Sequence, residues 1–229
     1  MKRDKPICDL KTCLLCKHCE AEWLPTIDTH RKNIHYKKGE LIFKEGDILR
    51  GMFFVLKGTV KVHKKWGAEK ELIVRFAKNG DILGHRGLGS DTLYSVSATA
   101  LEPVTVCFID TVFFNASLKM NTAFLFRLML FLAEELRISE KKMRDLAHMQ
   151  VKGRIAQSLL TLRVKFGEND EGYIELPLSR HNLASFAGTT YETAFRILNE
   201  WTADNIIRIS GKSISLMDAS GLAAFCDAE

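Results

Sequence analysis

The chain has 229 residues, 46% of them hydrophobic, enough for one large domain or two modest ones with packed cores. Its formal charge of +5 is mildly basic, which permits a phosphate-binding face without demanding one. No apolar run reaches membrane-spanning length, and Met1-Lys2-Arg3-Asp4 is not followed by the apolar core of a signal peptide. We therefore expect a cytoplasmic chain with no membrane partner, in which six cysteines stay reduced and need a role other than disulfides.

Four of those cysteines crowd the start. Cys8, Cys13, Cys16 and Cys19 contain C-x4-C-x2-C and, overlapping it, C-x2-C-x2-C. Three thiolates this close can cap three corners of an iron-sulfur cube when a remote cysteine completes the set. Zinc is the competing metal, although structural zinc sites use two C-x2-C knuckles separated by a longer loop. A solvent-facing thiol cluster that senses oxidants directly is a third reading. His18 beside them is a surface residue or a spare ligand.

Residues 36–110 have the pattern of strands. Gly39, Gly46, Gly58, Gly67 and Gly80 punctuate short runs such as Leu41-Ile42-Phe43, Met52-Phe53-Phe54-Val55-Leu56 and Leu72-Ile73-Val74-Arg75-Phe76. Many short strands with glycine turns predict a sandwich or jelly-roll barrel. Cys107 lies in one such strand, Val104-Thr105-Val106-Cys107-Phe108-Ile109, where a lone cysteine is ordinarily a small buried hydrophobe. Cys226, near the end, has the character of a tail thiol.

From about Phe113 the period changes. Leu125, Leu128, Leu132, Leu136, Ser139, Met143 and Leu146 recur in steps of three and four, an apolar seam along one long helix. Ala147 to Gln150 is the expected hinge, Val151 to Lys165 a further helix, and Tyr173 to Leu176 a short strand. Pro177 ends that strand before Ser179 caps the next helix.

Two short helices then flank Gly188. Leu183, Phe186 and Ala187 give the first an apolar face; Ala194, Ile197, Leu198 and Trp201 do so for the second, at i, i+3, i+4, i+7. This is a helix-turn-helix pattern, whose second helix can enter a major groove. Its outer face carries Tyr191, Glu192, Phe195, Arg196 and Asn199. Arg196 can pair with guanine O6 and N7, Glu192 can accept from cytosine N4, and Phe195 can meet a thymine methyl. A capping box from Thr189 to Glu192 and an ordinary Glu192–Arg196 ion pair are the competing account of the same residues. Ile206 to Ser210 and Ser213 to Leu216 alternate around Gly211-Lys212, a hairpin that completes a winged helix-turn-helix with Lys212 at its tip. Arg180, Thr190, Tyr191, Glu192, Phe195, Arg196 and Lys212 are the expected contacts to double-stranded DNA.

On Gly153-Arg154-Ile155-Ala156-Gln157-Ser158-Leu159-Leu160, the Ser179 to Gly188 helix, Glu192-Thr193, Arg196-Ile197-Leu198 and Gly211-Lys212-Ser213-Ile214, the chain resembles the Crp/Fnr transcription regulators. The likeness runs from about Ile34 to Met217. It implies an α+β fold with a cyclic-nucleotide-binding-type β-roll (jelly roll), a long dimerisation helix and a C-terminal winged helix-turn-helix. The implied divisions are 1–30, a cysteine-rich segment; 31–116, the β-roll; 117–148, the dimer helix and hinge; and 149–229, the DNA-binding domain. It implies a homodimer on a palindromic site through Leu125, Leu128, Leu132, Leu136, Met143 and Leu146, with RNA polymerase as a further partner. Cys107 resembles the distant ligand of the iron-sulfur, oxygen-responsive branch, implying a [4Fe-4S] cluster on Cys13, Cys16, Cys19 and Cys107 with Cys8 as substitute. Control by oxygen or nitric oxide follows, an intact cluster favouring the dimer.

Members of the family that bind cyclic AMP carry a Glu and an Arg where this chain resembles His85-Arg86-Gly87 and Tyr94-Ser95. A phenol cannot neutralise a cyclic phosphate as a guanidinium does, so cyclic AMP is not expected. Arg86 is then a solvated loop residue and Tyr94 a half-buried strand residue, and another small ligand in the roll is the alternative means of control. No G-x-S-x-G, Walker-type loop or H-E-x-x-H occurs, and no catalytic function is expected. An electron carrier built on the same cysteines would leave the helix-turn-helix without purpose.

Overall fold

The computed structural model describes residues 12–67, 70–176 and 178–226. These pack as two units, one built on the chain up to Lys64 with Val74–Glu135, the other on Lys65–Ile73 with the chain from Leu136 onward. The boundaries differ from the four segments expected, because both the hairpin after β4 and the long helix are shared between units.

The first unit is a roll of two antiparallel sheets. Strands β1 (Lys32–Tyr36), β2 (Leu41–Phe43), β3 (Gly51–Lys57), β4 (Val60–Trp66), β5 (Lys70–Ala77), β6 (Ile82–Leu83), β7 (Ser97–Ala100) and β8 (Val104–Asp110) form sheets of order β1-β8-β3-β6 and β2-β7-β4-β5. Strand alternation decides what each face does. Phe53 and Phe108 are register partners with rings 5.0 Å apart, and Phe53 stacks on Phe43 of the other sheet at 5.5 Å, so this face fills the roll. The next pair along, Phe54 and Cys107, alternates to the opposite face and is equally buried. Helices α1 (Leu14–His18), α2 (Leu24–His30) and α3 (Thr111–Met120) belong to this unit, with Leu15, Ile27, Phe113 and Phe114 buried in the same core cluster.

The long helix α4 (Thr122–His148) starts five residues later than position 117, because Asn121 breaks it from α3. Asn121 is buried; its Oδ1 accepts from Glu20 N–H (3.0 Å) and its Nδ2 donates to the Ser117 carbonyl (3.0 Å). The two helix axes diverge by 110° there. Among the described residues no single helix is long and apolar enough to cross a membrane; α3 and α4 pass such a test only as a bent pair, and Phe113, Phe114, Phe124 and Leu128 from them are core residues of the roll.

The second unit contains α5 (Val151–Phe166), α6 (Arg180–Ala187), α7 (Tyr191–Ala203), the hairpin β9 (Ile207–Ser210) and β10 (Ser213–Leu216), and α8 (Ala219–Cys226). Ile155, Leu159, Leu183, Ile197, Leu198, Trp201 and Ile214 are its buried centre. The strand expected over Tyr173 to Leu176 is reduced to single bridges, Tyr173 to Ser215 and Ile174 to Glu168. Leu176 N–H turns back to the Ile174 carbonyl (2.7 Å), which takes the chain out of the ladder.

Candidate nucleic-acid interface

The turn between α6 and α7 is made by Gly188, at φ +65° with Leu146 close against its Cα side. A side chain would be strained by the left-handed backbone and would meet Leu146 as well. Ser179 caps α6 by accepting from Asn182 N–H (3.1 Å). Thr190, not Thr189, caps α7: its Oγ1 accepts from Thr193 N–H (3.3 Å) and lies 3.1 Å from Thr193 Oγ1. The expected Thr189–Glu192 capping box is therefore absent, since the cap falls one residue later and its partner is Thr193.

That shift frees Glu192. Glu192 and Arg196 are both exposed, one turn apart, and form no ion pair with each other among the described residues. The ion pair of the competing structural account is thus not realised, and two groups of opposite charge stand one turn apart on the exposed face of α7. Tyr191 and Phe195 flank them with stacked rings, centroids 5.9 Å apart. Arg180 holds its guanidinium 5.7 Å above the Phe195 ring, and its Nε has no hydrogen-bond partner among the described residues. Thr190 is spent on capping. Lys212 is exposed at the β9–β10 turn, where its carbonyl accepts from Leu178 N–H (3.0 Å) and ties the wing to the start of α6.

The sequence pattern did not single out what holds this motif together. Arg154 on α5 donates to the Met149 carbonyl (2.6 Å), the Ala187 carbonyl (3.0 Å) and the Gly188 carbonyl (3.2 Å), so one guanidinium satisfies the carbonyls at the turn. Ser185 of α6 donates to the Glu71 carbonyl (2.7 Å) and accepts from Ile73 N–H (3.1 Å), while Lys142 Nζ donates to the Ile73 carbonyl (2.8 Å). These partners are main-chain atoms, which leave no side-chain spacing to find.

In the first unit, Cys8 lies outside the described residues. Cys13, Cys16 and Cys107 are buried and Cys19 is half-buried; the first three belong to one core cluster and Cys19 packs against it. Burial, then the neighbouring Cys13 thiol and Glu20, push the Cys19 thiol up to about 12. No three Cys, His, Asp or Glu side chains among the described residues already converge on one metal-sized point. The donor chemistry nevertheless fits a thiolate-ligated cluster: three cysteines close in sequence and a fourth on β8 lie in or against one apolar core.

Where a cyclic-nucleotide pocket would carry its anion contacts, the side chains are otherwise engaged. Tyr94 is buried rather than half-buried and lies in a loop, not a strand; its hydroxyl donates to the Gly51 carbonyl (3.0 Å) and its ring stacks 4.1 Å from Phe43. Arg86 is not a solvated loop residue: its Nη2 donates to Glu135 Oε2 (2.8 Å), and Arg75 Nη1 reaches Glu135 Oε1 (3.0 Å). His85 is buried with Nε2 at 3.6 Å from the same carboxylate. Burial alone would raise Glu135, but His85 and the two guanidinium groups outweigh it and hold the carboxyl far below its ordinary range. Burial lowers the His85 pKa, against the opposing pull of Glu135.

Residues 33–121 match the cyclic nucleotide-binding domain, and residues 153–225 match the Crp-like helix-turn-helix domain. The chain belongs to the Crp/Fnr family of transcription regulators. Transcriptional activator protein FnrA of Stutzerimonas stutzeri is 26% identical over 190 residues, 82% of this chain and 78% of that protein. Nitrogen fixation regulation protein FixK of Bradyrhizobium diazoefficiens is 28% identical over 225 residues, 96% of this chain and 93% of that protein. The structure of FixK2 from Bradyrhizobium japonicum shares the fold with a TM-score of 0.77 at 24% identity, covering 87% of this chain and 98% of that one. As a Crp/Fnr regulator the protein binds DNA through its helix-turn-helix, and the roll with its long helix and C-terminal helix-turn-helix is the architecture expected from the sequence.

The seam expected along α4 needs correction at two positions. Leu125, Leu132, Leu136 and Met143 are exposed, but Leu128 is buried in the roll core and Leu146 lies against Gly188. Met129, 53% exposed, takes the place of Leu128. The exposed row is then 125, 129, 132, 136, 143, with Ser139 completing the alternation of four and three, which is a heptad spacing.

Proposed function

We propose that this regulator acts as a homodimer on a palindromic site, in the cytoplasm, under the control of an iron-sulfur cluster held by Cys13, Cys16, Cys19 and Cys107, with oxygen or nitric oxide as the signal. The observation that supports the sensor half is that Cys13, Cys16 and Cys107 are buried in the core of the roll and Cys19 packs against it. A bound cluster supplies a centre whose ligation is labile to oxidants. The chain's own residues offer a route from that site to the dimer helix. Glu20 N–H is bonded to Asn121 at the break before α4, and Trp23 Nε1 donates to Ser117 Oγ (3.0 Å) on α3. A change in how the segment from Cys13 to Cys19 is held therefore reaches the first turn of α4.

The heptad row of Leu125, Met129, Leu132, Leu136 and Met143 supports dimerisation, since a single protomer leaves it in water. Two recognition helices related by that stalk reach successive major grooves. RNA polymerase contact follows from family resemblance alone. Control without cyclic AMP is supported by the engagement of Arg86 with Glu135 and of Tyr94 with Gly51.

Anaerobic purification followed by an absorbance spectrum and iron, sulfide and zinc analysis tests the sensor. A brown protein with iron and sulfide, bleached by air, is the expected result; a colourless zinc-bearing or metal-free protein overturns it and leaves DNA binding untouched. For the reader helix, Arg196→Ala should cost about 1–3 kcal/mol and relax preference at one guanine, whereas equal weakening on every sequence would mean that Arg196 touches only phosphate.

A further inference from the structure

Two aromatic rings on the outer stripe of α7 are left in water although the rest of that stripe is polar. Tyr191 is 41% exposed and Phe195 39%, and their planes lie within 17° of each other. Both are held from one side by the first turn of α6. The Arg180 guanidinium covers one face of Phe195, and the His181 ring lies 6.0 Å from Tyr191. The pair is thus fixed before any partner arrives, with its open surface next to the unpaired Glu192 and Arg196.

We propose that Tyr191 and Phe195 form a shelf that selects thymine, through its 5-methyl group, at the base pair next to the guanine bound by Arg196. The major groove presents polar edges at every base pair, and its one apolar group is the thymine methyl. A preset apolar shelf on a helix that enters this groove has no other complement there. Placement follows from helix geometry: Phe195 and Arg196 are consecutive, about 1.5 Å apart along the axis, less than one base step. Arg180 and His181 are positioning residues, acting through the rings they cover.

This inference rests on the DNA-reading face of α7, and its test separates the two. A duplex is first selected from random sequence with the full chain, and each thymine of its half-sites is then replaced singly by deoxyuridine, which removes only the methyl. At one thymine per half-site the loss should be about fourfold, the worth of one buried methyl, and about fifteenfold when both half-sites are changed. Phe195→Ala should bind more weakly and no longer distinguish thymine from uracil at that position, while keeping its guanine preference; Tyr191→Ala should reduce the ratio. Uracil tolerated at every position by the wild-type protein overturns the shelf while guanine discrimination stands. A Phe195→Ala variant that still discriminates the methyl fully also overturns it. If no duplex is retained in any preparation, the reading of α7 falls and the shelf with it.

Discussion

Arg154→Ala is the sharpest test of how the DNA-binding unit is held. The side chain donates three hydrogen bonds to carbonyl oxygens, two of them at the Ala187–Gly188 turn between α6 and α7. A hydrogen bond from a charged donor is worth about 1.5–3 kcal/mol when one partner is deleted. Arg154 is half-buried, so water partly replaces it at the turn, and the three bonds share one side chain and do not add. The expected loss is therefore about 3 kcal/mol rather than the sum, using the same per-bond scale. Arg154→Lys keeps the charge but not the fork, and should lose about half as much.

Hydrogen exchange of the α6 and α7 amides is the assay, because it reports this unit without requiring the whole chain to unfold in one step. About 3 kcal/mol corresponds to a fall in protection of about a hundredfold. Protection within threefold of wild type in Arg154→Ala would refute the claim that this guanidinium organises the turn. Equal losses in the alanine and lysine variants would refute the role assigned to its forked geometry.

Glu135→Gln should destabilise the roll by about 2–3 kcal/mol at neutral pH, because it leaves the Arg75 and Arg86 guanidinium groups mostly buried without their counter-charge. The folded carboxyl ionises below its ordinary value of 4.5, so its contribution is complete above that pH and declines as the pH falls and the unfolded state takes up the proton. Urea melts from pH 7 to 3 should show the wild-type advantage constant at first and then shrinking; an advantage that grows in acid would contradict the sign. Met129→Glu and Leu128→Glu should part company in light scattering and circular dichroism. The first should give a folded monomer, since Met129 lies on the exposed row, and the second should unfold the roll in which Leu128 is buried.

What could be seen in the sequence and what could not divides by distance along the chain. The strands between Leu41 and Phe76, the α7 face of Ala194, Ile197, Leu198 and Trp201, and the β9–β10 hairpin were all legible because each is settled by residues within a turn or a pleat of one another. Leu128 was misplaced for a related reason. A helix that packs on its own roll and also keeps an exposed heptad row carries two apolar stripes, and counting steps of three and four merges them; only burial tells Leu128 from Met129. Asn121 escaped notice because its partner Glu20 is 101 residues away, and Arg86 because Glu135 is 49 residues away.

The same division explains why the two halves of the function rest on different footing. The side chains proposed to read bases lie between Tyr191 and Arg196, within two turns of α7, and the helix is capped by Thr190 rather than Thr189. A sensor on Cys13, Cys16, Cys19 and Cys107 instead needs the roll to bring β8 beneath α1, and the bonds from Glu20 and Trp23 to the α3–α4 break to relay any change. A fold of this kind can therefore change its signal by altering a few cysteines and their packing while the helix that reads DNA stays as it is. The uracil substitutions and the anaerobic spectrum should accordingly vary independently of each other, and a Phe195→Ala variant should keep its colour while losing the preference for the methyl.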